Sequence, residues 1–267
     1  MVTLKDLARI TKVDISTVSR ALNNSDMVHP KTRERIILTA QKLSYQPNLI
    51  AQGLKLKRTR TIALLLPSFE LSVFSSVATG VEAAAKKHDY TVIFCNTMDD
   101  GIIESGYVDK FKNRFIDGFI CAPASSNSTI VKVLKNDKIP LVLTVRTAGK
   151  TTDAFGLNYF KAAYDATIYL MEKGCSNIAL INGSLKANPF KERYDGFLQA
   201  LSDRDIVPDR NKIFNAGDSS LQNGFDGMMR LLNSNNKIDG VLASTDVLAI
   251  GAIRAIRKQG LKILDRY

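Results

Sequence analysis

The chain has 267 residues, more than one ordinary domain needs, and 45% of them are hydrophobic, enough for a sizeable buried core. Its formal charge of +11 is unevenly spread: residues 1–60 carry twelve of the 37 Lys and Arg but only four of the 26 acids, which suits a polyanionic partner. Two histidines and three scattered cysteines leave little supply for a zinc site, Ser-His-Asp chemistry or a disulfide framework, and the cysteines read as small buried hydrophobes.

Thr3 is placed to cap a first helix, with Asp6 favouring its positive end and Leu4, Leu7, Ala8 and Ile10 as its apolar stripe. Asp14 is a natural N-cap for a second helix. There Val18 and Leu22 face inward at i, i+4, which leaves Ile15, Ser16, Thr17, Ser19 and Arg20 outward. Two short helices joined by a tight turn make a helix-turn-helix, and the small-polar run from Ser16 to Arg20 supplies phosphate and base contacts rather than helix propensity. A third helix has Pro30 in its first turn and Ile36, Ile37, Ala40 and Leu43 on its core face. The stretch from Asn48 to Lys55 is too short to be stable alone. It reads either as a flexible linker or as a segment that becomes helical on DNA and pushes an apolar side chain into the minor groove.

From Thr61 the pattern changes to strands at Thr61–Leu66, Thr91–Cys95, Gly118–Ala122, Leu141–Val145, Ile178–Asn182 and Gly240–Ser244. Between them lie helical stretches such as Val73–His88, Phe160–Lys173, Phe190–Arg204 and Asp246–Gln259. Such alternation implies parallel sheets covered on both faces, with ligands bound outside the carboxyl ends of the strands. Arg193 lies just after a strand and its loop, and Asp246 at a strand's carboxyl end, where a polar ligand needs paired donors and acceptors. A surface salt bridge for Arg193 and a helix N-cap for Asp246 are the plainer alternatives. Neither a GxGxxG nor a GxxxxGK[ST] run occurs, so nucleotide-dependent catalysis has no support. Met1 to Asp6 holds no apolar signal core, and no stretch reaches about 18 uncharged apolar residues, so the expectation is a soluble cytoplasmic protein.

These residues together resemble the lac repressor (LacI/GalR) family of bacterial transcription regulators. The resemblance runs through Val2–Ala8, Ser16–Asn23, Lys31–Arg35, Tyr45–Asn48, Ala51 and Leu54. It continues more loosely through Ile116–Ile120, Ile139–Leu143, Gly174–Ala179, Arg193–Phe197 and Ser244–Asp246. It implies an all-α N-terminal helix-turn-helix domain plus an α/β body of two doubly wound parallel-sheet subdomains, like those of periplasmic binding proteins. By the same resemblance Ile15, Ser16 and Arg20 read bases and Thr17 and Ser19 contact the backbone, with Thr3 and Asn23 beside them. Ala51, Leu54 and Lys55 belong to a hinge helix, with Leu54 as the wedge. Arg193 and Asp246 bind effector hydroxyls, Asn158 and Arg146 line the cleft, and Phe74 packs on the ring or sugar face of the effector.

The chain departs from the family at several points. Asp14 and His29 replace the usual serines, and Val145 and Leu157 stand where aspartates are usual. Ser219 replaces a stacking aromatic and Cys175 a common histidine. The implied organisation is a DNA-binding domain at 1–47, a hinge helix and basic linker at 48–60, an N-subdomain at 61–156 and a C-subdomain at 157–267. The last is expected to be incomplete, because family members run on from this point. The implied function is a DNA-binding transcriptional regulator, a repressor, controlled by a small effector such as a sugar or related metabolite. The alternative is a truncated, effector-insensitive DNA-binding remnant. The expected partners are a pseudo-palindromic double-stranded operator, the effector and a second copy of the chain, with no cofactor, metal, membrane or catalytic site.

Overall fold

The computed structural model describes residues 2–23, 27–46, 58–112, 116–125, 128–147, 153–234 and 237–263. The chain divides into two units, residues 1–59 and 60–267. In the first unit, helices α1 (Leu4–Thr11), α2 (Ile15–Leu22) and α3 (Pro30–Lys42) enclose a core centred on Leu7, Val18 and Ile36. A reciprocal cap starts α1: the Asp6 amide donates to Thr3 Oγ1 at 3.3 Å and the Thr3 amide to Asp6 Oδ2 at 3.0 Å. Lys12, at φ 54°, ends it in the left-handed region and turns the chain toward α2.

Two expectations need correction here. Ile10 is 51% exposed and does not join the apolar stripe. The helical period carries the face of Leu4, Leu7 and Ala8 on to Thr11, which is buried with its hydroxyl donating to Leu7 O at 2.6 Å. Asp14 occupies the N-cap position of α2, but its side chain makes no cap bond. The first turn of α2 is held instead by Asp14 O, which accepts from the amides of Thr17 and Val18.

The second unit opens with β1 (Thr61–Leu66), α4 (Ser72–Lys87), β2 (Thr91–Asn96), α5 (Gly101–Phe111), β3 (Gly118–Cys121), α6 (Ile130–Asn136), β4 (Leu141–Thr144) and a two-residue β5 (Ala154–Phe155). They form a parallel sheet of order β2-β1-β3-β4-β5. Next come α7 (Tyr159–Glu172), β6 (Ile178–Asn182), α8 (Asn188–Ser202), β7 (Ile213–Asn215), α9 (Leu221–Asn233), β8 (Gly240–Ala243) and α10 (Asp246–Lys258), with a parallel sheet of order β7-β6-β8.

Strand periodicity divides each core in two. Ala63 and Leu65 of β1 pack with Val108 of α5 and Ile130 and Leu134 of α6, while Leu64 and Leu66 pack with Phe74 and Val77 of α4. In the second sheet Ala179 and Ile181 meet α9 and α10, and Ile178 and Leu180 meet Phe197 and Leu201 of α8. Burying a leucine such as Leu64 or Leu65 contributes about 1.5–3 kcal/mol. Helices α9 and α10 approach through glycines: a Cβ on Gly224 would sit 2.3 Å from Leu248 O, and one on Gly251 2.2 Å from Leu221 O. Because every strand in a sheet runs the same way, the loops after β1–β4 gather at one edge and those after β6–β8 at another.

Candidate DNA-reading face and effector cleft

On α2 the burial pattern separates core from reader. Val18 and Ala21 are buried, whereas Ile15, Ser16 and Arg20 are exposed and Thr17 and Ser19 half-buried. Arg20 makes no hydrogen bond or ion pair with a described residue, so its guanidinium fork is free. Asn23 is exposed at the end of α2, its amide Nδ2 donating to Ser19 O at 2.9 Å. Thr3 is exposed too, but its hydroxyl donates to Asp6 Oδ2 at 2.7 Å, and these bonds hold the Asp6 carboxyl below its ordinary pKa. An exposed apolar side chain, small hydroxyls and a free guanidinium on one helix can meet a thymine methyl, phosphates and a guanine edge. Ala51, Leu54 and Lys55 lie outside the described residues.

At the strand ends of the first sheet, Arg146 is 6% exposed. It reaches that position through a γ-turn after β4: Val145 has φ 60°, and the Arg146 amide donates to Thr144 O at 2.5 Å. A β-branched residue at positive φ is strained, and here the strain swings Arg146 off the strand axis. Its guanidinium forms a two-pronged ion pair with Asp99, one arm at 3.0 Å, and a further bond to Pro123 O at 3.3 Å. The Phe74 ring lies 5.7 Å from the guanidinium carbon. Phe74 is itself buried, 3% exposed, so it supports Arg146 and belongs to the core beside Leu64 and Leu66.

At the second sheet, Arg193 on α8 is half-buried, its guanidinium 4.4 Å from the Tyr159 ring centroid and 5.5 Å from that of Phe190. Burial pushes its pKa down, partly opposed by Tyr159 and Glu192. Asp246 is exposed at the first position of α10, where Thr245, not Asp246, is the N-cap and accepts from the Leu248 amide. Asn158 is the N-cap of α7: its Oδ1 accepts from the Lys161 amide at 2.9 Å. Asn188 links the two sheets, donating to Thr147 Oγ1 at 3.1 Å and to Glu192 Oε1 at 2.6 Å.

Sequence reasoning missed Asp99, Asn182, Asn188 and Ser244. Asn182 closes β6, fully buried, and its Nδ2 donates to Phe190 O at 3.0 Å and Asn215 Oδ1 at 3.2 Å. Its Oδ1 accepts nothing, and the buried Ser244 hydroxyl is also without a partner. An asparagine closing an otherwise apolar strand was the one available signal. A hollow of about 610 Å³ bounded by Glu82, Lys86, Tyr90 and Phe94 lies along α4 toward the amino end of β2, on the side of the sheet away from this chemistry. Among the described residues no group of His, Cys, Asp and Glu could hold a metal, and no helix is long and apolar enough to cross a membrane.

Residues 3–48 match the family described as bacterial regulatory proteins, lacI family, and residues 59–267 that of periplasmic binding proteins and the sugar binding domain of the LacI family. The chain is 36% identical over 265 residues to the HTH-type transcriptional regulator RegA of Clostridium acetobutylicum, spanning 97% of this chain and 79% of that one. It is 31% identical over 265 residues to the ribose operon repressor of Halalkalibacterium halodurans, spanning 99% and 78%. The solved lac repressor dimer bound to operator and the anti-inducer ONPF superposes with a TM-score of 0.87 at 25% identity, covering 98% of this chain and 79% of that chain.

Proposed function

The chain belongs to the LacI family of bacterial regulatory proteins, and on that premise we propose a cytoplasmic repressor that reads a pseudo-palindromic operator as a homodimer and answers to a small polar effector. It is a DNA-binding transcriptional regulator with a helix-turn-helix and a periplasmic-binding-protein-like body. The observation that carries the proposal is the outward row Ile15, Ser16 and Arg20 on α2, whose side chains bond to no described residue and which is set on a closed three-helix core. Thr3, Thr17, Ser19 and Asn23 flank this row, and Ala51, Leu54 and Lys55 are assigned to the hinge.

The proposed organisation is a reader at 1–47, a hinge at 48–60, and effector-binding subdomains at 61–156 and 157–267. Arg193 and Asp246 contact the effector directly. Arg146 and Asn158 shape the cleft, and Phe74 backs Arg146. The sheets close on the effector, which regulates only if it favours one closure state over the other. The relatives named above are regulators and not enzymes, and no catalytic step is assigned to this chain.

Selection of bound DNA from a random pool by the 267-residue chain tests the reading. Enrichment of a two-fold symmetric site is expected. Recovery of isolated half-sites would remove the homodimer, and recovery of no motif would remove the operator-reading assignment.

A further inference from the structure

The linker meets the body at Arg60, the first residue of the second unit and the one before β1. Its φ is 50°, in the left-handed region, so the chain turns off the line of β1 at this residue. A residue with a side chain stays at positive φ only where its surroundings over-determine it. Those surroundings are main-chain bonds to both neighbouring strands. The Arg60 amide donates to Asp117 Oδ2 at 3.1 Å, and the Arg60 oxygen accepts from the Thr91 amide at 2.8 Å. Asp117 also donates its own amide to Thr61 O at 2.7 Å, so it holds Arg60 through its carboxylate and Thr61 through its main chain.

The Arg60 side chain reaches to Asp89 Oδ2 at 3.4 Å, in the turn before β2, on the other side of β1 from Asp117. That ion pair is exposed at both ends and contributes little by itself. The carboxylate of Asp117 on a backbone amide is the stronger part, because the bond is charge-assisted. The ladders of β1 begin at Thr61 with Thr91 and at Ile62 with Gly118, so the Asp117 carboxylate and the Asp89 pair lie outside the sheet's own pairing. What they restrain is the one residue through which the linker enters the body.

We infer that Arg60, Asp117 and Asp89 form a clasp that fixes the course of the linker as it leaves the body, and that the clasp sets the half-site spacing the protein accepts. They are positioning residues, acting through the linker on the reader. A homodimer places two readers on one duplex, and the span each linker allows decides which separations both can occupy at once. A fixed exit narrows that span, whereas a free one tolerates neighbouring spacings. The inference rests on the homodimeric operator reading and adds what selects its geometry.

The test is competitive binding of the full chain to duplexes that carry two inverted copies of the selected half-site, separated by up to about six base pairs. The parent should prefer one spacing about tenfold over its neighbours. Asp117→Ala should reduce that ratio to about twofold or less, and Asp117→Asn, which keeps an acceptor oxygen, should retain it. Arg60→Pro lacks the amide and is barred from φ 50°, so it should lose the parental preference by a second route. Each preference is a ratio within one variant, so a uniform loss of affinity from a missing cation or a smaller folded fraction cancels. Circular dichroism melting identifies a variant that does not fold; if Asp117→Ala is one, Arg60→Pro decides. Parental ratios in the folded variants would overturn the clasp and leave the homodimer standing. Equal binding of every spacing by the parent would overturn both.

Discussion

Arg146 and Asp99 are an unequal pair, and the inequality sets how they fail. Arg146 is 6% exposed while the Asp99 side chain is half in solvent. Removing the acid strands a buried guanidinium, whereas water covers part of the loss on the Asp99 side. Breaking a fully buried pair costs about 3–5 kcal/mol, so Asp99→Ala is expected to cost about 2 kcal/mol, read as a lower urea midpoint at unchanged slope. Adding Arg146→Met should recover most of that loss, because the stranded charge goes with it. A double variant no more stable than Asp99→Ala would show that the desolvated charge is not what the acid relieves. Arg146 was singled out by the family resemblance alone, as a residue lining the cleft. Asp99 was not, because it is 47 residues away and meets Arg146 only through a positive-φ turn at valine, a residue that signals no such turn.

Strands and helices were legible wherever a periodic apolar face ran long enough. β1 and β6 fall on the spans the sequence predicts, and β2, β3, β4 and β8 differ by one residue at their ends. β5 and β7, of two and three residues, are too short for a period to register. α9 did not stand out because Gly224 and Gly227 lower its helix propensity. Those glycines serve packing: a Cβ on Gly227 would fall 2.4 Å from the Phe214 ring, and one on Gly224 would meet the backbone of Leu248. Gly251→Ala should therefore force α9 and α10 apart and cost at least about 1–3 kcal/mol, since the atoms it meets are backbone and cannot move aside. Gly174→Ala meets no atom within 4 Å but sits at φ 90° in the cap of α7. Its expected cost is about 1 kcal/mol, from conformation alone. Denaturant midpoints that rank Gly174→Ala as the worse variant would contradict this packing of α9 on α10.

The entries to β6 and β8 are joined by Asp239, whose carboxylate accepts from the Asn177 amide at 2.7 Å and the Ser176 amide at 3.1 Å. Burial pushes its pKa up, but these bonds outweigh that and hold the carboxyl below its ordinary value. A depressed folded pKa means stability that is present above the usual aspartate pKa and lost as pH falls through the folded value. Asp239→Ala should be less stable than the parent by about 1 kcal/mol near neutral pH, with the gap closing below about pH 4. A gap independent of pH would mean that Asp239 acts by packing and not by charge.

Across the whole molecule, charge and function divide at the same place. Twelve basic residues against four acids lie in residues 1–60, and the remainder of the +11 is spread thinly over the other 207. Affinity for DNA should therefore come from the amino-terminal end and fall steeply with salt. If six to ten phosphates are neutralised, affinity drops by about 10³–10⁵ between 50 and 200 mM salt. Two substitutions separate the roles within that total. Arg20 projects from α2 with a free fork, so Arg20→Ala should lose about 1–3 kcal/mol on the preferred site and little elsewhere, flattening base preference at one position. Lys57 lies in the basic run toward Arg60, so Lys57→Ala should weaken all sequences alike and reduce the salt slope by about one. Fluorescence anisotropy on the selected site and a scrambled duplex, across that salt range, measures both. A flat salt response would sink the phosphate model. Identical profiles for the two variants would instead remove Arg20 from the base-reading face and leave α2 as a backbone clamp.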